Sequence, residues 1–292
     1  MAAEESRPLI RRALLQSPPI GVDPTPPAVA TAMARDYLDA ADLCVGELRS
    51  ATWQQLAAAL NAMNARHHEA GFPVIPMGPV LGGAEVAEVP LAVTARSACR
   101  AISVLAGTTR DEQNFYFFPD CDEETAHASL FPWFGASSAE VYAHYACRRP
   151  GSRPRQIADD ATGHALFERG VTTLAEHQAS AGNPGYLYRF DWQSPGLGGE
   201  LGAPHCVEPP FLFGNFDLWS GAELLRGADP VRVRALTSSF QQAVVRFVAT
   251  GSPNGEGLPA RQPYTPDLRA TMRFDTVVEC VGTLRSPGAK QP

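Results

Sequence analysis

Apolar residues in this chain fall either into short compact runs or into longer stretches where they recur at steps of three and four. Residues 10–16 form one compact run, and it stops at Ser17-Pro18-Pro19, as a buried strand entering a loop should. Thr25-Pro26 offers a cap and a first-turn proline for a helix through about Leu43, and Thr52 opens a second, alanine-rich helix through about Asn64. Residues 71–90 are studded with proline and glycine and read as loop. Residues 101–106 are again compact and apolar, and Gly107-Thr108-Thr109 and Asp111-Glu112 follow them, the order of strand, turn and helix start. Residues 137–177 are mainly helical in pattern, broken by an arginine-rich, proline-bearing stretch at 148–155. Residues 186–192 alternate like a strand, and a glycine-rich loop at 196–202 leads from them to His205. Asp229-Pro230 starts a last helix, on which Val233, Leu236, Phe240, Val244, Phe247 and Val248 form an apolar stripe that belongs to the core. With no internal repeat and no clear linker, strand and helix alternate within a single α/β unit.

Composition narrows the function classes. At 292 residues with 45% hydrophobic content, the chain can build a sizeable core. Its 24 basic and 31 acidic residues give a net charge of -7 without any basic block, so the footprint of a nucleic-acid binder is missing and a small-molecule or protein partner is expected. No apolar run approaches the roughly 18 to 20 residues of a membrane span, and the N-terminus lacks the apolar core of a signal peptide. A soluble chain without a membrane partner is expected, with a cytoplasmic location favoured. Six cysteines, Cys44, Cys99, Cys121, Cys147, Cys206 and Cys280, include no CxxC pair. They point to neither zinc nor redox chemistry, and buried thiols are favoured over the disulfides that their even number permits.

Taken singly, the candidate side chains are ordinary. Thr109-x-x-Glu112 fits a capping box, in which the glutamate satisfies a backbone donor at a helix start. A histidine in a glycine-rich loop, such as His205, is most simply a solvated side chain. His67-His68-Glu69 ends a helical pattern with no third ligand nearby, so a surface helix end is expected rather than a metal site. His164 and His177 need only solvated or capping roles, and His127 and His144 suggest nothing. No metal or cofactor is expected.

Taken together, several segments are similar to the type-B carboxylesterases and occur in the order that family requires. They are RRALLQS at 11–17, PMGPV at 76–80, LAGTTRDEQNF at 105–115, LGAPHCVEPPFLFG at 201–214, FVATGSPNGEGLP at 247–259 and RATMRFD at 269–275. The resemblance spans about residues 6–275, and GTTRDE and GAxHxxExPF are its specific elements. It implies an α/β-hydrolase fold, here its C-terminal portion: the later strands of a mostly parallel sheet, a helical insertion and the terminal helix. It further implies that Glu112 is the acid of a catalytic triad, that His205 is its base, and that Ser17 is a buried serine supporting the acid. Asp111 is then the less favoured acid, one residue too early. In such a triad the histidine takes the nucleophile's proton and returns it to the leaving alcohol, while the carboxylate holds the ring in one tautomer. The fold orders its triad serine, acid, histidine along the chain, and Glu112 before His205 agrees.

The nucleophile elbow G-x-S-x-G is not found in the sequence. Residues 251–255, GSPNG, place a serine between glycines, but they follow an amphipathic helix and contain proline, and they match the family's TG-x-PN loop. The resemblance places the elbow just upstream of Met1 and the oxyanion-hole glycines further upstream still. The expectation is therefore an ester hydrolase acting on a small-molecule carboxylic ester only when completed by an N-terminal half, or else a non-catalytic remnant that binds a ligand or partner. A further departure is Cys206, where the family ordinarily has glycine after the histidine. As a nucleophile Cys206 is disfavoured, because neighbouring residues in an extended loop point apart.

Overall fold

The computed structural model describes residues 5, 7–69, 77–83, 86–96, 102–116 and 120–282, with backbone alone at 67–69 and 115–116. Pro76, Cys99, Ala101 and the side chains of His67, His68 and Phe115 lie outside the described residues. The chain runs β1 (Arg12–Gln16), α1 (Pro27–Ala41), α2 (Trp53–Glu69), α3 (Pro90–Ala95), β2 (Ser103–Thr109), α4 (Glu123–Phe134), α5 (Ser138–Arg148), α6 (Pro154–Gly163) and α7 (Arg169–Ser180). It continues through β3 (Gly185–Phe190), α8 (Pro209–Phe213), α9 (Pro230–Thr250), β4 (Thr271–Phe274) and β5 (Glu279–Val281).

β1 to β4 lie side by side in chain order and pair in parallel, and β5 returns antiparallel against β4. Parallel neighbours need a crossover, and the helices between the strands supply it. Because side chains alternate across a strand, β2 and β3 serve two cores. Leu105, Tyr186, Tyr188 and Phe190 pack against Val233, Leu236, Phe240 and Phe247 of α9. Val104, Ala106 and Leu187 pack on the other face against Val171, Leu174 and Ala175 of α7. Both faces being covered, β2 reads as a continuous apolar run and not as an alternating one. A separate cluster joins Leu130 of α4, Val141 and Tyr142 of α5, and Ile157 and Ala161 of α6. This is an α/β-hydrolase arrangement with a helical insertion between β2 and β3.

Several sequence expectations need correcting in detail. Thr25 does not cap α1: its N–H bonds Pro79 in a bridge to Val80, and Pro26 takes the cap position without a side-chain bond. Thr52 does cap α2, exchanging bonds with Gln55, but that helix runs on to Glu69. At α9 the Asp229 carboxylate accepts the Val231 N–H at 2.8 Å, as the Asp-Pro start implied. Val248 leaves the apolar stripe and stands 57% exposed, since it is adjacent to the buried Phe247 and thus turned about 100° around the axis. The buried-thiol expectation fails as well: Cys44, Cys147, Cys206 and Cys280 are free and exposed, and Cys121 is free and half-buried. The sequence pattern did not suggest α4, which carries Pro132 inside it, or the short β4 and β5.

Candidate active site

Three segments converge at the carboxyl ends of the strands, the usual place for a site in an open α/β sheet. Ser17 ends β1 in a left-handed turn, with φ 42°, and its N–H bonds Gly107 of β2 at 2.8 Å. There the hydroxyl donates to Glu112 Oε1, in the turn beyond the carboxyl end of β2, at 2.6 Å. Glu112 opens a 3-10 turn just after β2 and is buried, with 5% of its surface exposed. Its Oε1 also accepts the Thr109 N–H at 2.7 Å, and its Oε2 stands 2.6 Å from Nδ1 of His205. The capping role and the histidine contact are therefore both real, one on each oxygen. The box is only half formed, because among the described residues the Thr109 hydroxyl has no partner.

His205 is delivered by a loop that the chain after β2 grips. The Asp111 backbone N–H bonds the Ala203 carbonyl at 2.9 Å, and the Asp111 carboxylate accepts the Ala203 N–H at 2.8 Å. Asn114 donates to the Leu201 carbonyl at 3.1 Å, and the His205 N–H reaches the Glu112 carbonyl at 3.3 Å. Gly202 sits at φ 59° against the Asp111 carboxylate, where any side chain would collide with it, so this close approach requires glycine. Asp111 thus grips the loop and is not the histidine's carboxylate partner. The Arg110 guanidinium forks onto Asp111 Oδ2 at 2.9 and 2.6 Å. Phe167 lies under the imidazole, its ring stacked at 4.9 Å between centroids. It belongs to a π-helical turn, His164–Glu168, between α6 and α7, and such turns are frequent at functional sites. The sequence gives no periodic signal for that extra residue in the turn, and Phe167 was not foreseen.

Burial alone would push the His205 imidazolium toward losing its proton. The Glu112 carboxylate bonded to Nδ1 and the neighbouring Cys206 outweigh that, and the ring's pKa is held up at about 10. Cys206 itself has φ 64°, so the backbone here is a turn and not extended. The extended loop assumed at this point is therefore replaced by a left-handed turn. Glu208 is fully buried, accepts the Tyr188 hydroxyl at 2.8 Å, and has its pKa pushed up to about 7 by burial first and by the charge of Glu112 second.

The other sequence candidates stay apart from this cluster. His177 meets Thr94 at 2.9 Å and His164 meets Glu168 at 3.5 Å, both partners of a structural kind. Ser252 follows the C-terminal glycine of α9 and accepts the Asn254 N–H, a local turn and not an elbow after a strand. A cavity of about 510 Å³ opens beside residues 108–114, but Arg149, Asp160, Arg189 and Glu168 line it, a charged wall unlike the mostly apolar lining of small-molecule sites. Among the described residues no group of three or more His, Cys, Asp or Glu could hold a metal ion, and no helix is long and apolar enough to cross a membrane.

Comparison with known proteins gives a family. The sequence model of the carboxylesterase family matches residues 1–286. The chain is 31% identical over 275 residues to a phenmedipham hydrolase of Pseudarthrobacter oxydans, covering 91% of this chain and 54% of that protein. It is 33% identical over 206 residues to a para-nitrobenzyl esterase of Bacillus subtilis, covering 68% of this chain and 40% of that one. Among solved structures, a thermophilic PNB esterase superposes with a TM-score of 0.77 at 26% identity, over 96% of this chain and 57% of that one. A Geobacillus stearothermophilus carboxylesterase does so with 0.77 at 27% identity, over 96% and 58%. The chain thus spans about half the length of the curated relatives it matches.

Proposed function

The chain belongs to the carboxylesterase family, and from that premise we propose that it supplies the acid and base of a carboxylic ester hydrolase whose nucleophilic serine lies on residues this sequence does not contain. The observation that carries the proposal is the 2.6 Å contact between His205 Nδ1 and Glu112 Oε2, with Ser17 and Thr109 bonded to the other oxygen of the same carboxylate. With Nδ1 committed to Glu112, Nε2 is the nitrogen that takes the proton of an attacking serine hydroxyl and returns it to the leaving alcohol. Glu112 fixes the tautomer and stabilises the imidazolium that forms. The two donors on Oε1 keep the carboxylate aimed, and Phe167 restrains the plane of the ring. The substrate class is a small-molecule carboxylic ester, in keeping with relatives named phenmedipham hydrolase and para-nitrobenzyl esterase.

Alone, the chain lacks the G-x-S-x-G serine that would supply the attacking hydroxyl. It is therefore inactive as an esterase by itself. A second reading, a non-catalytic ligand-binding remnant, is favoured by one observation: Cys206, at φ 64°, stands directly after His205 where the resemblance expects glycine.

Serine-directed labelling separates the two. The 292-residue chain is mixed with a fluorophosphonate, alone and after co-expression with the N-terminal part of the phenmedipham hydrolase that it does not match. Label should appear on the G-x-S-x-G serine of the N-terminal part, only when both parts are present, and should be lost in His205→Ala. Labelling of the 292-residue chain itself would mean that it carries its own serine nucleophile and would overturn the proposal.

A further inference from the structure

A second cavity, of about 290 Å³, opens at the start of α9 and differs from the charged one in its lining. Phe216, Trp219, Leu225 and Val233 form its apolar wall, and Arg226 and Arg234 join them, with no acidic residue among the lining side chains. Burial separates floor from mouth: Val233 is buried, Phe216, Trp219 and Leu225 are half-buried, and both arginines are exposed. The walls are built in advance. Phe216 meets Phe211 of α8 edge-on at 5.5 Å, the Leu225 N–H bonds the Ala222 carbonyl at 3.2 Å, and Ser194 Oγ donates to the Leu224 carbonyl at 2.6 Å. A preformed apolar concavity with a few convergent polar groups is the usual form of a small-molecule site. The arginines are not equivalent. Arg226 pairs with Glu223 at 3.0 Å, and the neighbouring Arg232, outside the cavity, pairs with Asp229 at 3.6 Å, whereas among the described residues no carboxylate pairs with Arg234.

We propose that this cavity binds a small apolar monocarboxylate, an aromatic ring on a short acid chain, with the ring against Trp219 and Phe216 and the carboxylate at Arg234. Volume sets the size: about 290 Å³ is at the small end of the roughly 300–1,000 Å³ of ligand pockets, room for one ring and a short chain. Charge sets the headgroup. Arg226 is already neutralised by Glu223, so one guanidinium is left to match one negative charge, and its planar fork suits a carboxylate. In a chain of net charge -7, an acid-free cavity with an unpaired cation at its mouth favours an anion over a neutral ligand. None of Ser17, Glu112 and His205 lines the cavity, so its occupancy is judged apart from the esterase reading.

The test is isothermal titration calorimetry of the 292-residue chain with phenylpropionate and with its uncharged counterpart, phenylpropionamide. One acid should bind per chain, saturably and about fivefold more tightly than the amide at low salt, the range of an exposed charge pair. In Arg234→Gln the two should bind alike, and in Arg232→Gln, which removes the same charge outside the cavity, the preference should persist. Ala228 also lines the cavity, so Ala228→Phe places a ring inside it and should abolish binding of both, with folding checked by circular dichroism. Arg234→Gln, at an exposed position, keeps the test decisive if that variant does not fold. No saturable binding of the acid, equal affinity for acid and amide, or a preference that survives in Arg234→Gln or is lost equally in Arg232→Gln would overturn the inference. So would binding of the acid that is unchanged in folded Ala228→Phe, or affinity that weakens as the protein concentration is raised, which would assign the cavity to a second copy of the chain.

Discussion

The two oxygens of Glu112 divide their work, Oε1 holding Ser17 and Thr109 and Oε2 holding His205. In the completed enzyme, Glu112→Gln should lower kcat by on the order of a thousandfold or more, as when a triad acid is made an amide and the wrong tautomer results. Ser17→Ala removes one buried donor but leaves the Thr109 and His205 contacts of the carboxylate in place, so it should cost turnover less and lower chain stability by about 1–3 kcal/mol. The pH dependence of stability follows from His205. Its folded pKa is raised, from 6.5 to about 10, so its contribution is complete below about pH 6.5 and is lost as pH rises through about 10. Melting curves between pH 6.5 and 10 should show the wild type losing stability that His205→Ala never had, so the gap between them closes as pH rises. At this scale the family motifs pointed to Glu112, His205 and Ser17, because their flanking residues are distinctive. The Phe167 stack and the left-handed turn at Cys206 were not legible, since a π turn and a positive φ are backbone departures that side-chain identities do not encode.

Among the elements, those with sustained periodicity were readable and the short ones were not. α9 has twenty-one residues and a stripe of buried apolar positions, and Asp229-Pro230 marks its start. β4 and β5 have four and three residues, too few for a pattern, and they are held by pairing with β3 and with each other. The helical insertion docks through a glycine contact that sequence alone could not reveal. Gly170 of α7 and Gly21 of the loop after β1 approach so closely that a Cβ on either would strike backbone atoms, Ile20 and Gly21 in one case and Ala165 and Leu166 in the other. Gly170→Ala should therefore cost about 1–3 kcal/mol through overpacking, measured by urea unfolding. Gly221 has open space around it, and Gly221→Ala should stay within about 0.5 kcal/mol. A loss at Gly221 equal to that at Gly170 would refute the contact as the cause.

For the molecule as a whole, the chain covers 54% of the phenmedipham hydrolase and 57% of a PNB esterase of the same fold. Among the described strands β1 pairs with β2 alone, and no residue of α1 is buried. Val29 and Val45 are exposed, as are Trp53 and Leu218. A sheet edge and apolar surface of this kind tend to associate, so the purified chain should bind a hydrophobic dye and self-associate, and both effects should diminish when it is co-expressed with the N-terminal part of a relative. The fold class was legible in the sequence because strand and helix alternate in the motif order of the family. The charged cavity was not, since Arg149, Asp160 and Arg189 come together only in space. The central claim, that His205 and Glu112 are the base and acid of an ester hydrolase, is tested most directly by steady-state hydrolysis of p-nitrophenyl butyrate by the co-expressed pair. The account predicts turnover from the pair that disappears in His205→Ala and falls steeply in Glu112→Gln, with none from the 292-residue chain alone. Turnover by the pair that is unchanged in His205→Ala would contradict it.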